Sequence, residues 1–124
     1  MGSVSTATRE PTLRTASYFV LAALLDGPLY GYAVIKRVAA LSCGKVTLSA
    51  GTLYAVLDRL NTAGLVEAVR EEVVNGRARR YYRLTPRGEK MLRAEADLLA
   101  TAAQVVMDNT RRRRALGVLA AGPA

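Results

Sequence analysis

Apolar residues at helical spacing ahead of residue 65, an Asn75-Gly76 dipeptide between two β-prone runs, and a stretch after Pro86 without helix breakers predict a mainly α fold with a small β-hairpin. With 124 residues the chain has the size of one domain plus an appended element, and a chain this long buries well over half of the surface its unfolded form exposes. Apolar residues make up 51% of the sequence and are spread along it, so a packed core is expected rather than general disorder.

Residues 1–10 are small, polar and unpatterned, and are expected to form a disordered N-terminal segment. From Pro11, which suits a first helical turn, Leu13, Ala16, Val20 and Leu24 recur at helical spacing until Asp26-Gly27-Pro28 stops the helix. A short second helix is read over 32–41, where Ala33, Val34, Val38 and Leu41 recur opposite Lys36 and Arg37, with Cys43-Gly44 ending it. Ser49 is placed to cap a third helix, whose stripe Leu53, Val56, Leu57 and Leu60 faces inward and which Gly64 terminates. Its opposite face is Gly51, Tyr54, Ala55, Asp58 and Thr62, flanked by Thr52 and Arg59.

The texture then changes to β-prone runs over 65–74 and 79–84, joined by Asn75-Gly76, the strongest short hairpin signal. Alternation turns Arg79, Tyr81 and Arg83 outward and Tyr82 and Leu84 inward. Thr85 caps a last helix with Pro86 at its first position, and neither Gly nor Pro interrupts residues 89–116. At ~1.5 Å per residue this helix runs about 40 Å, too long for so small a domain to cover. Along it Leu92, Ala96, Leu99, Ala103, Val106 and Thr110 alternate spacings of four and three, a coiled-coil seam that Met91, Leu98 and Val105 widen. Pairing with a second copy is therefore expected. The predicted organisation is a domain over 11–85, a dimerisation helix over 86–116 and a flexible tail over 117–124.

Eighteen Lys and Arg face ten Asp and Glu, a net charge of +8, and 15 of the cations are arginine, the planar donor suited to phosphate and guanine. An acidic partner follows. Residues 1–87 hold 12 cations against 6 anions and residues 88–110 hold 2 against 4, before Arg111, Arg112, Arg113 and Arg114. That last run reads as a favourable cationic helix end or as a second DNA contact. There is no histidine, and the one cysteine, Cys43, reads as a small, partly buried filler, so no metal site, cofactor or disulfide is expected. Ser49 has no visible base and no lysine-bearing Gly-rich phosphate loop is present, which argues against an enzyme. Apolar stretches such as 19–25 fall far short of the roughly 20 residues of a membrane span, and a cytoplasmic protein without membrane contact is expected.

Three short helices followed by an arginine-rich hairpin give the order of elements of a winged helix-turn-helix, which binds double-stranded DNA with its third helix in the major groove and its wing on the backbone or minor groove. Ser49, Thr52, Tyr54, Ala55, Asp58, Arg59 and Thr62 on the helix and Arg77, Arg79 and Arg80 on the wing are the candidate contacts. Arg79 and Arg80 are expected to act alike, mainly through phosphate or minor-groove charge. Each has a plainer reading: Ser49 and Thr52 cap the helix, Tyr54 flanks the core, Arg59 is a solvated charge, and the wing arginines keep an edge strand from aggregating.

Gly51-Thr52-Leu53-Tyr54 with Leu57, Arg59-Leu60 and Gly64-Leu65-Val66, then Arg80-Tyr81-Tyr82-Arg83-Leu84-Thr85 and Gly88, together with Tyr30-Gly31-Tyr32, resemble the signature of the PadR family over residues 13–92. The resemblance implies a homodimeric repressor of the short subgroup, with one C-terminal dimerisation helix, Tyr54 on a phosphate, and a small hydrophobic effector taken up in a cleft between the subunits. Tyr18 and Phe19 on the first helix are the aromatic candidates for its wall, or simply core. The chain departs from the family in Ala55, where proline is common, and in having no aromatic residue over 86–124. Competing readings are a winged-helix protein-interaction module, expected to expose an apolar patch, and a MarR-type regulator, expected to have a further helix ahead of Pro11.

Overall fold

The computed structural model describes residues 13–120. Its elements are α1 (Thr15–Ala23), β1 (Leu29–Tyr30), α2 (Gly31–Leu41), α3 (Ala50–Thr62), β2 (Val66–Val74), β3 (Arg77–Leu84) and α4 (Pro86–Ala120). The chain forms two compact units that divide after Leu92. The expectations for residues 1–10, for Pro11 and for the last residues of the tail lie outside the described residues.

In the first unit the apolar stripes converge on one core. Val20, Leu21 and Leu24 from the α1 segment, Val34 and Val38 from α2, and Leu53, Val56, Leu57 and Leu60 from α3 meet Leu65, Val66 and Tyr82 at the base of the hairpin. Full burial of each such aliphatic side chain is worth about 1.5–3 kcal/mol. Leu92 joins this core at 3% exposure, which corrects its expected place on the dimer seam. Heptad spacing cannot tell a residue facing its own domain from one facing a partner.

Local chemistry sets the boundaries. Ser49 Oγ accepts from the backbone N–H of Thr52 (3.2 Å) and so caps α3. At the other end Leu65 N–H donates to Leu60 O and Gly64 N–H to Asn61 O, a Schellman closure that needs the left-handed φ of +78° at Gly64. The same closure ends α2, where Gly44 N–H donates to Ala39 O (2.7 Å) and Cys43 N–H to Ala40 O. Cys43 is the left-handed residue there, at φ 55°, and it is exposed. The expected partly buried filler is therefore wrong: chain reversal after the helix turns this side chain to solvent, and Ser42 is the residue tucked in.

Asn75 (φ 54°) and Gly76 (φ 77°) make the two-residue turn of the hairpin, both left-handed as a type I′ turn requires. A bulge between Ala68 and Arg70 leaves Val69 without a partner on β3. β1, which the sequence did not announce, pairs antiparallel with β3 through Leu29 with Tyr82 and Tyr30 with Tyr81, giving the sheet order β1-β3-β2.

Thr85 joins the hairpin to α4. Its Oγ1 accepts from Gly88 N–H (3.0 Å) and donates to Gly64 O (2.6 Å), while its N–H donates to Leu65 O. α4 has 35 residues, about 52 Å at ~1.5 Å per residue, and continues through Gly117 to Ala120, beyond the expected end at 116.

Candidate nucleic-acid interface

The inward stripe of α3 leaves the rest of the helix in solvent. Ser49, Thr52, Tyr54, Ala55, Asp58, Arg59 and Thr62 are all exposed. Ser49 Oγ also donates to Thr52 Oγ1 (3.0 Å), so both hydroxyls sit at the helix N-terminus, where free N–H groups concentrate positive potential. Arg59 lies in the last turn, without an ion-pair partner among the described residues. Tyr54 is 45% exposed and lies across the start of α2. An ideal Cβ at Gly31 would fall 2.5 Å from Tyr54 Oη and 3.0 Å from Cζ, so glycine there is what lets the phenol lie down.

Side-chain alternation separates the wing arginines. On one face, Arg79 stacks over Tyr30 (4.4 Å to the ring centroid), Tyr30 meets Tyr81 edge-on at 5.6 Å, and Arg70 covers Tyr81 at 4.0 Å. Tyr81 donates its hydroxyl to Glu72 (2.8 Å), and Arg83 Nε donates to Glu67 (2.7 Å). Arg80, on the other face, pairs with Glu71 at 3.2 Å. Its pKa is raised, by Tyr82 first and Glu71 second, which leaves an arginine as charged as before. Arg77, beside the turn, is exposed and has no acidic partner among the described residues. Arg79 and Arg80, grouped together from the sequence, thus differ in face and in partner.

Tyr30, Gly31, Tyr32 and Tyr54 line a cavity of about 400 Å³ with Arg77, Ala78, Arg79 and Arg80. Tyr30 and Tyr32 were not among the candidate site residues; the only hint of them was a glycine between two tyrosines at a helix start, which is also a plausible core motif. Aromatic and guanidinium planes with few carboxylates suit a polyanion with flat bases, because cations meet phosphate while ring faces meet sugar or base.

Tyr18 and Phe19 are half-buried, edge-to-face at 5.6 Å and 86°, and packed on the core of their own unit. In the second unit residues 97–117 are exposed, among them Leu98, Leu99, Val105, Val106 and Met107; of the expected seam, Leu99, Ala103, Val106 and Thr110 face solvent and Ala96 is half-buried. Among the described residues no three His, Cys, Asp or Glu side chains could hold a metal ion, and no helix is long and apolar enough to cross a membrane.

Comparison with known proteins gives the arrangement a lineage. A 37.1 kDa protein encoded in a transposon of Streptomyces fradiae is 40% identical over 85 residues, 68% of this chain and 23% of that protein. A transcriptional regulator of Mycobacterium tuberculosis is 43% identical over 60 residues, 48% of this chain and 55% of that one. The chain thus spans only part of these relatives. The crystal structure of Bacillus subtilis PadR in complex with operator DNA shares the fold, with a TM-score of 0.58 and 22% identity over 65% of this chain and 46% of that one. The family model for PadR-like transcriptional regulators matches residues 20–94, well over half of the sequence, and the chain belongs to that family.

Proposed function

We propose that this chain is a DNA-binding transcriptional repressor that recognises an inverted-repeat operator as a homodimer, in the cytoplasm, and is released by a small hydrophobic ligand. The observation that carries the reading is a capped α3 with a wholly exposed outer face beside a wing whose Arg77 and Arg79 lack acidic partners among the described residues. The operator complex of the Bacillus subtilis relative supports it. Thr52, Ala55, Asp58, Arg59 and Thr62 face the bases, Ser49 and Tyr54 hold the backbone, and the wing adds phosphate charge. Two-fold pairing through α4 sets two copies of α3 in related grooves, with half-site centres about 34 or 68 Å apart. Release requires a ligand that prefers one spacing of the two α3 helices; affinity alone regulates nothing. Selection of bound fragments from a random DNA pool tests the whole reading: palindromic sites at one spacing are expected, and asymmetric single boxes bound by a monomer would refute it.

Two variants examine the site. Arg79→Ala is expected to weaken binding on all sequences alike and to lower the salt slope by about 0.9 per subunit, the yield of one phosphate contact. Arg80→Ala, whose charge Glu71 already offsets, is expected to change the slope by less than half as much. Equal slopes for the two would show that Glu71 does not restrain Arg80 on DNA.

Gly31→Ala is expected to leave folding stability within about 1 kcal/mol, since the clash is with the movable end of a tyrosine, yet to reduce operator affinity as much as Tyr54→Ala does. The double variant then loses little more than either single one. Additive losses would mean that Gly31 does not act through Tyr54.

A further inference from the structure

Between α3 and the hairpin lies a recess of about 390 Å³, lined by Tyr54 and Asp58 from α3, Glu71 from β2, and Ala78, Arg80 and Tyr82 from β3. Arg80 shares its face of β3 with buried Tyr82, so its side chain lies on the α3 side of the wing, away from the stack of Arg79 on Tyr30. Glu71 is its cross-strand partner, and one carboxylate oxygen of Glu71 accepts from both Nε (3.3 Å) and Nη2 (3.2 Å) of Arg80. Those bonds use two of the five N–H donors of the guanidinium and fix its plane. Even one bond to the neighbouring Tyr82 hydroxyl leaves a pair of donors to give. Asp58, which also lines the recess, is exposed and has no ion-pair partner among the described residues.

The charges around Arg80 decide what it can meet. A phosphate entering the recess would come up against the carboxylates of Glu71 and Asp58 as well as the guanidinium, and two negative charges beside one positive give it no net attraction. A neutral base edge meets no such repulsion, and a guanidinium held in one plane by a carboxylate presents its remaining donors in a fixed direction. We propose that Arg80 reads a guanine in the major groove beside α3, donating its free N–H pair to O6 and N7, and that Glu71 is the positioning residue that holds the guanidinium plane for it. This role rests on the DNA binding proposed above and moves Arg80 from the phosphate contacts of the wing to base recognition. Arg80 then adds to sequence preference rather than to salt dependence, because its charge is already balanced, whereas Arg77 and Arg79, without acidic partners among the described residues, stay with the backbone.

Selection from a random DNA pool with the full chain and with Arg80→Ala, Arg80→Lys and Glu71→Gln in parallel tests both roles. The parent is expected to select one G·C pair per half-site at which both Arg80 variants lose about tenfold in preference, lysine included, because a point charge cannot make the paired bonds. On sites already changed at that pair, Arg80→Ala is expected to bind within about twofold of the parent. Glu71→Gln is expected to lose at least about threefold of the same preference and, with Arg80 released to phosphate, to steepen the salt slope on random DNA by about 0.9 per subunit. In the parent, 7-deazaguanine at that position, which lacks the N7 acceptor, is expected to reproduce much of the loss and to add nothing in Arg80→Ala. Both residues are exposed, and thermal denaturation is expected to show every variant folded as the parent is. A uniform loss on all sequences in Arg80→Ala, or a preference that survives in Arg80→Lys, would make Arg80 a phosphate contact and overturn the guanine. A preference unchanged in Glu71→Gln would overturn the positioning role. A parent that selects palindromic sites with no position dependent on Arg80 overturns this assignment alone, whereas a parent that selects no sequence overturns the DNA-binding reading with it.

Discussion

Gly88→Ala is expected to cost about 3–5 kcal/mol of folding stability, a large share of the whole for a unit of this size. An ideal Cβ at position 88 would lie 2.0 Å from Leu65 O, 2.9 Å from Leu65 C and 2.9 Å from Leu84 Cδ1. Two of these are backbone atoms, and Leu65 O also accepts the N–H of Thr85, so neither side can yield without parting α4 from the end of α3. Helix propensity works the other way by about 1 kcal/mol in favour of alanine, and the clash exceeds it. Chemical denaturation of Gly88→Ala beside Thr85→Ala separates the effects, since loss of the Thr85 cap alone costs about 1 kcal/mol. A Gly88→Ala variant as stable as the parent would show that the α3–α4 junction opens easily.

Leu99→Asp is expected to leave the protein monomeric at micromolar concentration and to reduce operator affinity by about 100-fold or more, the loss that follows when two linked half-site contacts become one. In the second unit Leu98, Leu99, Val105, Val106 and Met107 are each between 45% and 65% exposed. The pairing through α4 proposed above would cover these side chains. Placing a carboxylate from each copy at the centre of the seam exposes both to desolvation and mutual repulsion. Thr101→Asp, two residues along and off the seam, adds the same charge and is expected to leave the dimer intact. Sedimentation of both variants distinguishes a specific seam from a general response to charge. A dimeric Leu99→Asp protein would place self-association elsewhere.

Much of the fold was legible because its signals are local. Ser49 and Thr85 cap helices with bonds to residues three positions on, Gly64 ends α3 with a backbone angle other residues resist, and Asn75-Gly76 turns the hairpin by the same rule. The stripe of α3 assigned core and outer face together, so the exposed candidates there followed from spacing. β1 has no such signal: two residues have no period, and they form a strand only because the edge of β3 lies beside them. Cys43 was misread because composition says that cysteines tend to be buried, whereas the position after a helix end turned this one outward.

The sequence by itself determined the order of the helices and the hairpin, the faces of the helices, the charge and the family, since each rests on neighbours within a few positions or on motifs read in line. Tertiary structure alone decided which residues at long separation share surroundings. It took Leu92 into the core of its own unit, put Arg79 on Tyr30 and Arg80 on Glu71 although the two are adjacent in the chain, and gathered Arg14, Arg59 and Arg87 around one cavity. The physical reason is common to all three cases. Period and propensity describe a segment against water, but burial and ion pairing are properties of whatever other segment the fold brings against it.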